Sequence, residues 1–316
     1  MHNIGRFNPQ LHKYAIISLI DRFIQDDLIE SVEMPQKITF ITKPKAEFEV
    51  PSSEGYQLYS AVLDIIRESD EATSEHAHNS PIGSIALGGL KGKFKRSKRP
   101  HHKVLDPQNR YKFYVGIVDP KEAEIFQSLI KPLIFKERDV ILDRGALGIE
   151  EVASFGATFE ELVESAKGFD RPEIEFWFRS PTCIQYKNTK VFEMFPHREA
   201  VFSSLVAKWN ATSPPFKMDI ERDEISRYVL ERPDARSYRT HNAMVNTVFD
   251  KKKGHPRPIL RQGFSGRCTY SFAKGAPQDF MNAILVLSRF AEYSGVGSAV
   301  SRGCGWTEVE VDEVRK

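Results

Sequence analysis

The chain has 316 residues, 41% hydrophobic and 28% charged, with a net charge of +2. That is an ordinary globular composition with apolar material for one or two buried cores, and it marks neither a disordered nor a fibrous chain. No apolar run approaches the ~18 residues of a membrane span, and the first residues lack the order of charged, long apolar and small segments that marks a secretory signal.

In chain order, "HKYAIISLIDRFIQDDLIESV" reads as an amphipathic helix in an N-terminal extension, residues 1–35. "KITFITK" (37–43) alternates as a strand. "SSEGYQLYSAVLDIIRE" reads as a helix capped by Ser52 or Ser53, with Tyr56, Tyr59, Leu63 and Ile66 near one face. "KFYVGIV" (112–118) is a strand, and "DPKEAEIFQSLI" a helix with Asp119 as cap and Pro120 at its first position. "ERDVILD" (137–143) is expected as the fourth strand of the first half. The acidic helix "FEELVESAK" leads to a boundary near Gly168. The second half repeats the order: strand "EIEFWFRS" (173–180), helix "REAVFSSLVAKWN" (198–210), strand "GRCTYSF" (266–272), long helix "PQDFMNAILVLSRFAEY" and final strand "GWTEVEV". The order predicts an α+β fold of two tandem ferredoxin-like (RRM-like) domains, residues 36–167 and 168–316.

Charge is uneven. "KGKFKRSKRPHHK" (91–103) holds Lys91, Lys93, Lys95, Arg96, Lys98, Arg99 and Lys103 with two histidines and no acid. Lys251, Lys252, Lys253, Arg257 and Arg261 form a second cluster. Such density suits a polyanion, or else a solvated loop. Cys183, Cys268 and Cys304 have neither metal-ligand spacing nor a disulfide framework, which fits a reducing cytoplasm; no metal or cofactor is expected.

"GVGSAVSRGCG" (295–305) places four glycines between the long helix and the last strand. A dinucleotide-binding loop follows a strand and opens a helix, so this loop lacks that logic, and it lacks the Gly-Lys-Ser/Thr of nucleotide hydrolases. A structural turn or a nucleic-acid contact remains. In the second case Gly295, Gly297, Gly303 and Gly305 let the backbone approach phosphates while Ser298, Ser301 and Arg302 donate, with Arg267 nearby.

The spacing Gly-hydrophobic-Gly, five residues, Gly-x-Gly, after a helix and before the last strand, resembles the signature loop of the CRISPR-associated repeat-processing endoribonucleases of the Cas6 type. "GFSGRCTYSF", "FRSPTCIQY" with "MFPHREAVFSSLVAKWN", and "KITFITKPKAEFEVPSSEGYQLYSAVLDII" are similar to that family's strands and helices in the same order. "ATSEHAHNSP" resembles the segment where the family often places its catalytic histidine, which implies His76, the better fit, and His78 beside it, on the same side if the segment is extended. The resemblance implies CRISPR repeat RNA and crRNA as partners, other Cas proteins of an effector complex as further ones, and a metal-independent cut leaving 5′-hydroxyl and 2′,3′-cyclic phosphate ends. Such a cut needs a base, an acid and positive charge at the phosphate, and histidine suits both proton roles. The family's added tyrosine and lysine are not matched: Tyr56 and Tyr59 lie about a turn early, Leu63 takes the matching place, and the next lysine is Lys91. His101 and His102 are rival histidines. The competing expectation is a subunit of the same fold that holds crRNA without cutting; a third is an unrelated protein binding a small anion.

Overall fold

The computed structural model describes residues 35–80, 83–186, 189–212, 214–250 and 254–313. The helix expected in the extension lies outside them, as do Lys251, Lys252 and Lys253.

Strand β1 (Gln36–Pro44) buries Ile38, Phe40 and Thr42 on one face, and its alternation is that of a sheet covered on one side. Then come β2 (Phe48–Pro51), helices α1 (Gly55–Ser69) and α2 (Glu71–Asn79), β3 (Ile85–Gly92), β4 (Lys95–Arg96), β5 (His102–Leu105) and β6 (Tyr111–Ile117). Helix α3 (Glu122–Phe135), β7 (Val140–Leu142) and β8 (Gly145–Gly156) complete the first half. The antiparallel sheet runs β3-β6-β1-β8-β7. Helices α1 and α3 press Leu58, Val62, Ile125 and Leu129 onto Ile38, Phe40 and Phe113.

The second half follows with α4 (Phe159–Glu164), β9 (Pro172–Thr182), β10 (Ile184–Gln185), β11 (Phe192–Glu193), α5 (Arg198–Ala211) and α6 (Arg222–Tyr228). Strands β12 (Val229–Pro233), β13 (Arg239–Asp250) and β14 (His255–Phe272), helix α7 (Gln278–Ser294) and β15 (Thr307–Glu313) end it. Its sheet runs β12-β14-β9-β15, with β13 extending β14 as a long hairpin. In each half the four principal strands lie second, third, first, fourth, with helices after the first and third: two ferredoxin-like folds in tandem. The second core gathers Phe176, Phe202, Trp209, Tyr270, Ile284 and Phe290, and α4 joins it through Phe159 and Leu162.

The halves meet through their sheets. Trp306, just before β15, stacks on Tyr114 of β6 with ring centres 4.3 Å apart, and Lys37 lies over Trp306 at 4.9 Å. A Cβ on Gly116 of β6 would stand 1.9 Å from the carbonyl oxygen of Tyr293, so that site admits no side chain where α7 crosses the first sheet.

Four local expectations are corrected. Residues 137–143 do not supply the fourth strand: β7 is a three-residue edge, and β8 pairs with β1 instead. Its Gly and Glu content weakens the alternation that would mark it. Neither Ser52 nor Ser53 caps α1; Glu54 holds the cap position, and its carboxylate turns away to accept from the Leu90 N–H at 2.5 Å and from Lys103 at 2.8 Å. Asp119 does not cap α3, which begins at Glu122 behind Lys121; it accepts from the Lys121 N–H at 2.9 Å and is otherwise turned towards α2. The strand expected at 266–272 is the end of the much longer β14.

Candidate functional site

The glycine loop is built by its own backbone. Val296 N–H donates to the Gly305 carbonyl at 2.9 Å, closing the loop at its neck. Gly305 N–H donates to Pro181 at 2.9 Å, Ser298 N–H to Cys183 at 2.7 Å and Gly297 N–H to Ser204 Oγ at 3.0 Å, which seat the loop on the end of β9 and on α5. Gly297 has φ +82, and a Cβ there would meet the Cys183 carbonyl oxygen at 2.6 Å. The glycines therefore shape the loop, and their amides are spent inside the protein. Among the hydrogen bonds of the described residues, the amides of Ala299, Val300 and Ser301 at the tip are not engaged. Below the loop, Lys208 of α5 donates to the Ser294 and Gly295 carbonyls at 2.8 and 3.0 Å, holding the end of α7. Desolvation pulls its pKa down to about 7; the two carbonyls and the negative end of α7 act in the opposite sense.

The loop reaches across to the first half. A Cβ on Gly55 would stand 2.3 Å from the Arg302 carbonyl oxygen, so the start of α1 lies flush against the loop. The Arg302 guanidinium stands 4.5 Å over the Tyr59 ring, a cation–π contact. Tyr59 is buried, and burial raises its pKa, opposed by the Arg302 charge and by a hydrogen bond with Ser301. It is thus a neutral phenol at ordinary pH. Its hydroxyl lies 3.4 Å from His78 Nδ1, with the two rings 6.2 Å apart.

The segment carrying the histidines is helical, not extended. Asp70 caps α2, accepting from Thr73 N–H at 3.2 Å and Thr73 Oγ1 at 2.6 Å. Thr73, Ser74 and Ala77 face inward. At about 100° per residue, His76 and His78 leave Ala77 on opposite sides. The two histidines are therefore not on one side, as an extended segment would place them. His76 Nε2 sits 2.8 Å from Asp119 Oδ1, whose carboxylate is 2% exposed and also accepts from Ser84. His78 is exposed and turns to Tyr59 and the loop. His101 lies on the β4–β5 turn and His102 opens β5.

The basic run is not a free loop; part of it is a hairpin added to β2. Lys95 pairs with Glu47 at 2.6 Å and Asp106 at 3.0 Å. Lys91 donates to the Arg179 carbonyl at 3.0 Å across the halves, and burial lowers its pKa. Lys93, Arg96, Lys98 and Arg99 are exposed, with no ion pair among the described residues. Arg267 lies on the open face of the second sheet, paired with Glu175 at 3.1 Å and stacked over Trp177, not at the glycine loop where the sequence reading put it. Arg261 takes that place, its guanidinium donating to Ser298 Oγ at 2.8 Å. Sequence reasoning thus missed the pairing of His76 with Asp119, the seat of Arg261, the anchor Lys208 and the contact of Tyr59 with His78. Only the last left a signal, a tyrosine on the first helix.

With that geometry in place, the comparisons with known proteins are specific. The family model described as CRISPR-associated endoribonuclease Cas6 matches residues 176–307, from β9 through the loop to β15. The second half of the chain thus resembles that family. Solved Cas6 structures share its fold over both halves. A Thermus thermophilus Cas6 in a product complex aligns with TM-score 0.65 at 16% identity, over 88% of this chain and 100% of that one. A Cas6-related protein from Pyrococcus furiosus gives 0.58 at 11%, over 88% and 98%. A RAMP protein binding different RNA substrates gives 0.56 at 11%, over 88% and 99%. Among curated proteins none matches the chain. Among the described residues no helix is long and apolar enough to cross a membrane.

Proposed function

We propose that this chain is of the Cas6 type, that it binds the repeat of CRISPR precursor RNA, and that it cuts it to crRNA by attack of a ribose 2′-hydroxyl on the adjoining phosphate, leaving 5′-hydroxyl and 2′,3′-cyclic phosphate ends. The observation that carries the reading is the chain of contacts His78–Tyr59–Arg302, which joins an exposed histidine of the first half to the signature loop of the second. His78 presents its Nε2 to the substrate. An Nδ1–H that donates to the Tyr59 oxygen leaves Nε2 free, a base; once Nε2 has taken a proton, the imidazolium keeps that bond and is the acid. The Tyr59 contact thus sets the tautomer for either proton role. Arg302 and the tip amides of Ala299, Val300 and Ser301 face the charge that builds on the phosphate. His76, held by the buried Asp119, is a positioning residue that fixes α2. Exposed Lys93, Arg96, Lys98 and Arg99 supply backbone contacts away from the cut.

The test is cleavage of labelled repeat RNA from the array of the same genome, in EDTA. A single cut with a cyclic phosphate end by the wild type, lost in His78→Ala, is the expected result. Repeat binding without a cut would instead make the chain a crRNA-holding subunit, and a cut that survives His78→Ala would move the chemistry to His76.

A further inference from the structure

A cavity of about 610 Å³ opens beside the loop tip, on the side away from Tyr59. One wall is the outer face of α5, where Ala200, Ser203 and Ala207 leave a flat surface with no large side chain. Tyr186, 42% exposed and with its hydroxyl donating to Glu193, also lines the space. The loop residues Gly297 to Ser301 form another wall, and Ser80, the residue that ends α2, stands at the edge. The hydroxyl of Ser203 is buried without a hydrogen-bond partner. Three basic side chains line the space: Arg222, His197 and Lys208, the last already donating to the Ser294 and Gly295 carbonyls. The acid on the wall, Glu199, accepts from Ser226.

These features select a ligand. A flat wall with an aromatic ring on the same cavity takes a planar ring system, an orphaned hydroxyl takes the edge of a polar heterocycle, and the Arg222 guanidinium takes an anion. The volume falls in the range of small-ligand sites. An aliphatic ligand would leave the Ser203 hydroxyl and the Arg222 guanidinium unused, and a peptide would leave the flat wall unstacked; a nucleotide uses all three. The position says which nucleotide. Ser80 follows the helix that bears His78, and Ser301 touches both Tyr59 and the cavity, so the space begins where the proposed site ends. We propose that it holds one unstacked nucleotide of the bound RNA, the one adjoining the cut, with its base between α5 and Tyr186. This rests on the RNA-cleaving reading above.

The experiment compares cleavage of intact repeat RNA and of two RNAs, each abasic at one nucleotide flanking the cut, by the wild type, Ala207→Trp and Tyr186→Ala. Ala207 is exposed, so the added indole fills the cavity without disturbing the core; melting temperatures check this. Stacked bases are worth enough that removing one costs about tenfold. The wild type is expected to cut one abasic RNA about tenfold more slowly than intact RNA. Ala207→Trp should cut intact RNA about tenfold more slowly than the wild type, yet cut that abasic RNA at the wild-type rate. Tyr186→Ala should show the same pattern, more weakly. Equal rates for all three proteins on intact RNA, or no effect of an abasic site on either side, would overturn the proposal while leaving the nuclease intact. Failure of the wild type to bind any repeat RNA would overturn both.

Discussion

His76 and His78 stand two residues apart and do opposite things. His76 spends one ring nitrogen on a buried carboxylate, while His78 is exposed and faces a phenol next to the loop. His78→Ala should lower the cleavage rate at least ~10²-fold with repeat affinity nearly unchanged, as expected for loss of a proton-transfer group. His76→Ala should leave Asp119 buried with one partner fewer, costing about 1–3 kcal/mol of stability; urea unfolding reads this, and Asp119→Asn should cost less. Lys208 gives a pH signature. Its folded pKa of about 7 lies below the ordinary 10.5, so the folded state binds fewer protons than the unfolded one between those values. Stability therefore rises with pH across that window and is flat below it. Unfolding at several pH values should show the rise in the wild type and not in Lys208→Met. Little of this scale was legible beforehand. The segment "SEHAH" drew attention through its resemblance, but a single sequence cannot show that Asp119, read as a helix cap, instead binds a histidine on another helix.

At the scale of elements, the loop and the strands behaved differently as sequence. The loop was visible because it holds four glycines in eleven residues, but the sequence left open a structural turn and a nucleic-acid contact. At Gly297 the positive φ and the Cys183 carbonyl leave no room for a side chain. Gly297→Ala should therefore cost about 2 kcal/mol in strain, read by chemical unfolding, and should lower cleavage by shifting the tip. The strands β1, β6, β9 and the end of β14 were legible because each alternates over a covered face. Strand β8 was missed because Gly145, Gly148 and Gly156 and a pair of glutamates blur its pattern; its place is fixed by pairing with β1, a tertiary fact. Helix α2 was not read as a helix because its start signal, Asp70, falls directly after α1, with no glycine or proline between them.

At the scale of the molecule, two similar folds were legible from the repeated order of elements, but their docking was not. Trp306 read as part of a final strand; it is the ring that joins the sheets. Trp306→Ala should cost about 3–5 kcal/mol and divide the single unfolding transition into two, seen by calorimetry, while Trp177→Ala on the open face should leave it single. Binding to repeat RNA should fall steeply with salt, and replacing Arg96 and Lys98 by Gln should flatten the slope by roughly one unit per charge. Lys95→Gln should change it less, because Lys95 is already paired. The loop's seat also sets an order of events. During synthesis α2 and its histidines can settle on the first core while the rest of the chain is still unmade. Arg302 and the tip take position only once β15 has joined β9, along the register from Thr307 with Phe178 to Glu313 with Pro172. A nascent chain thus carries both α2 histidines long before it carries the loop that faces them, and a product cut short after α7 would hold both histidines with nothing to close over them.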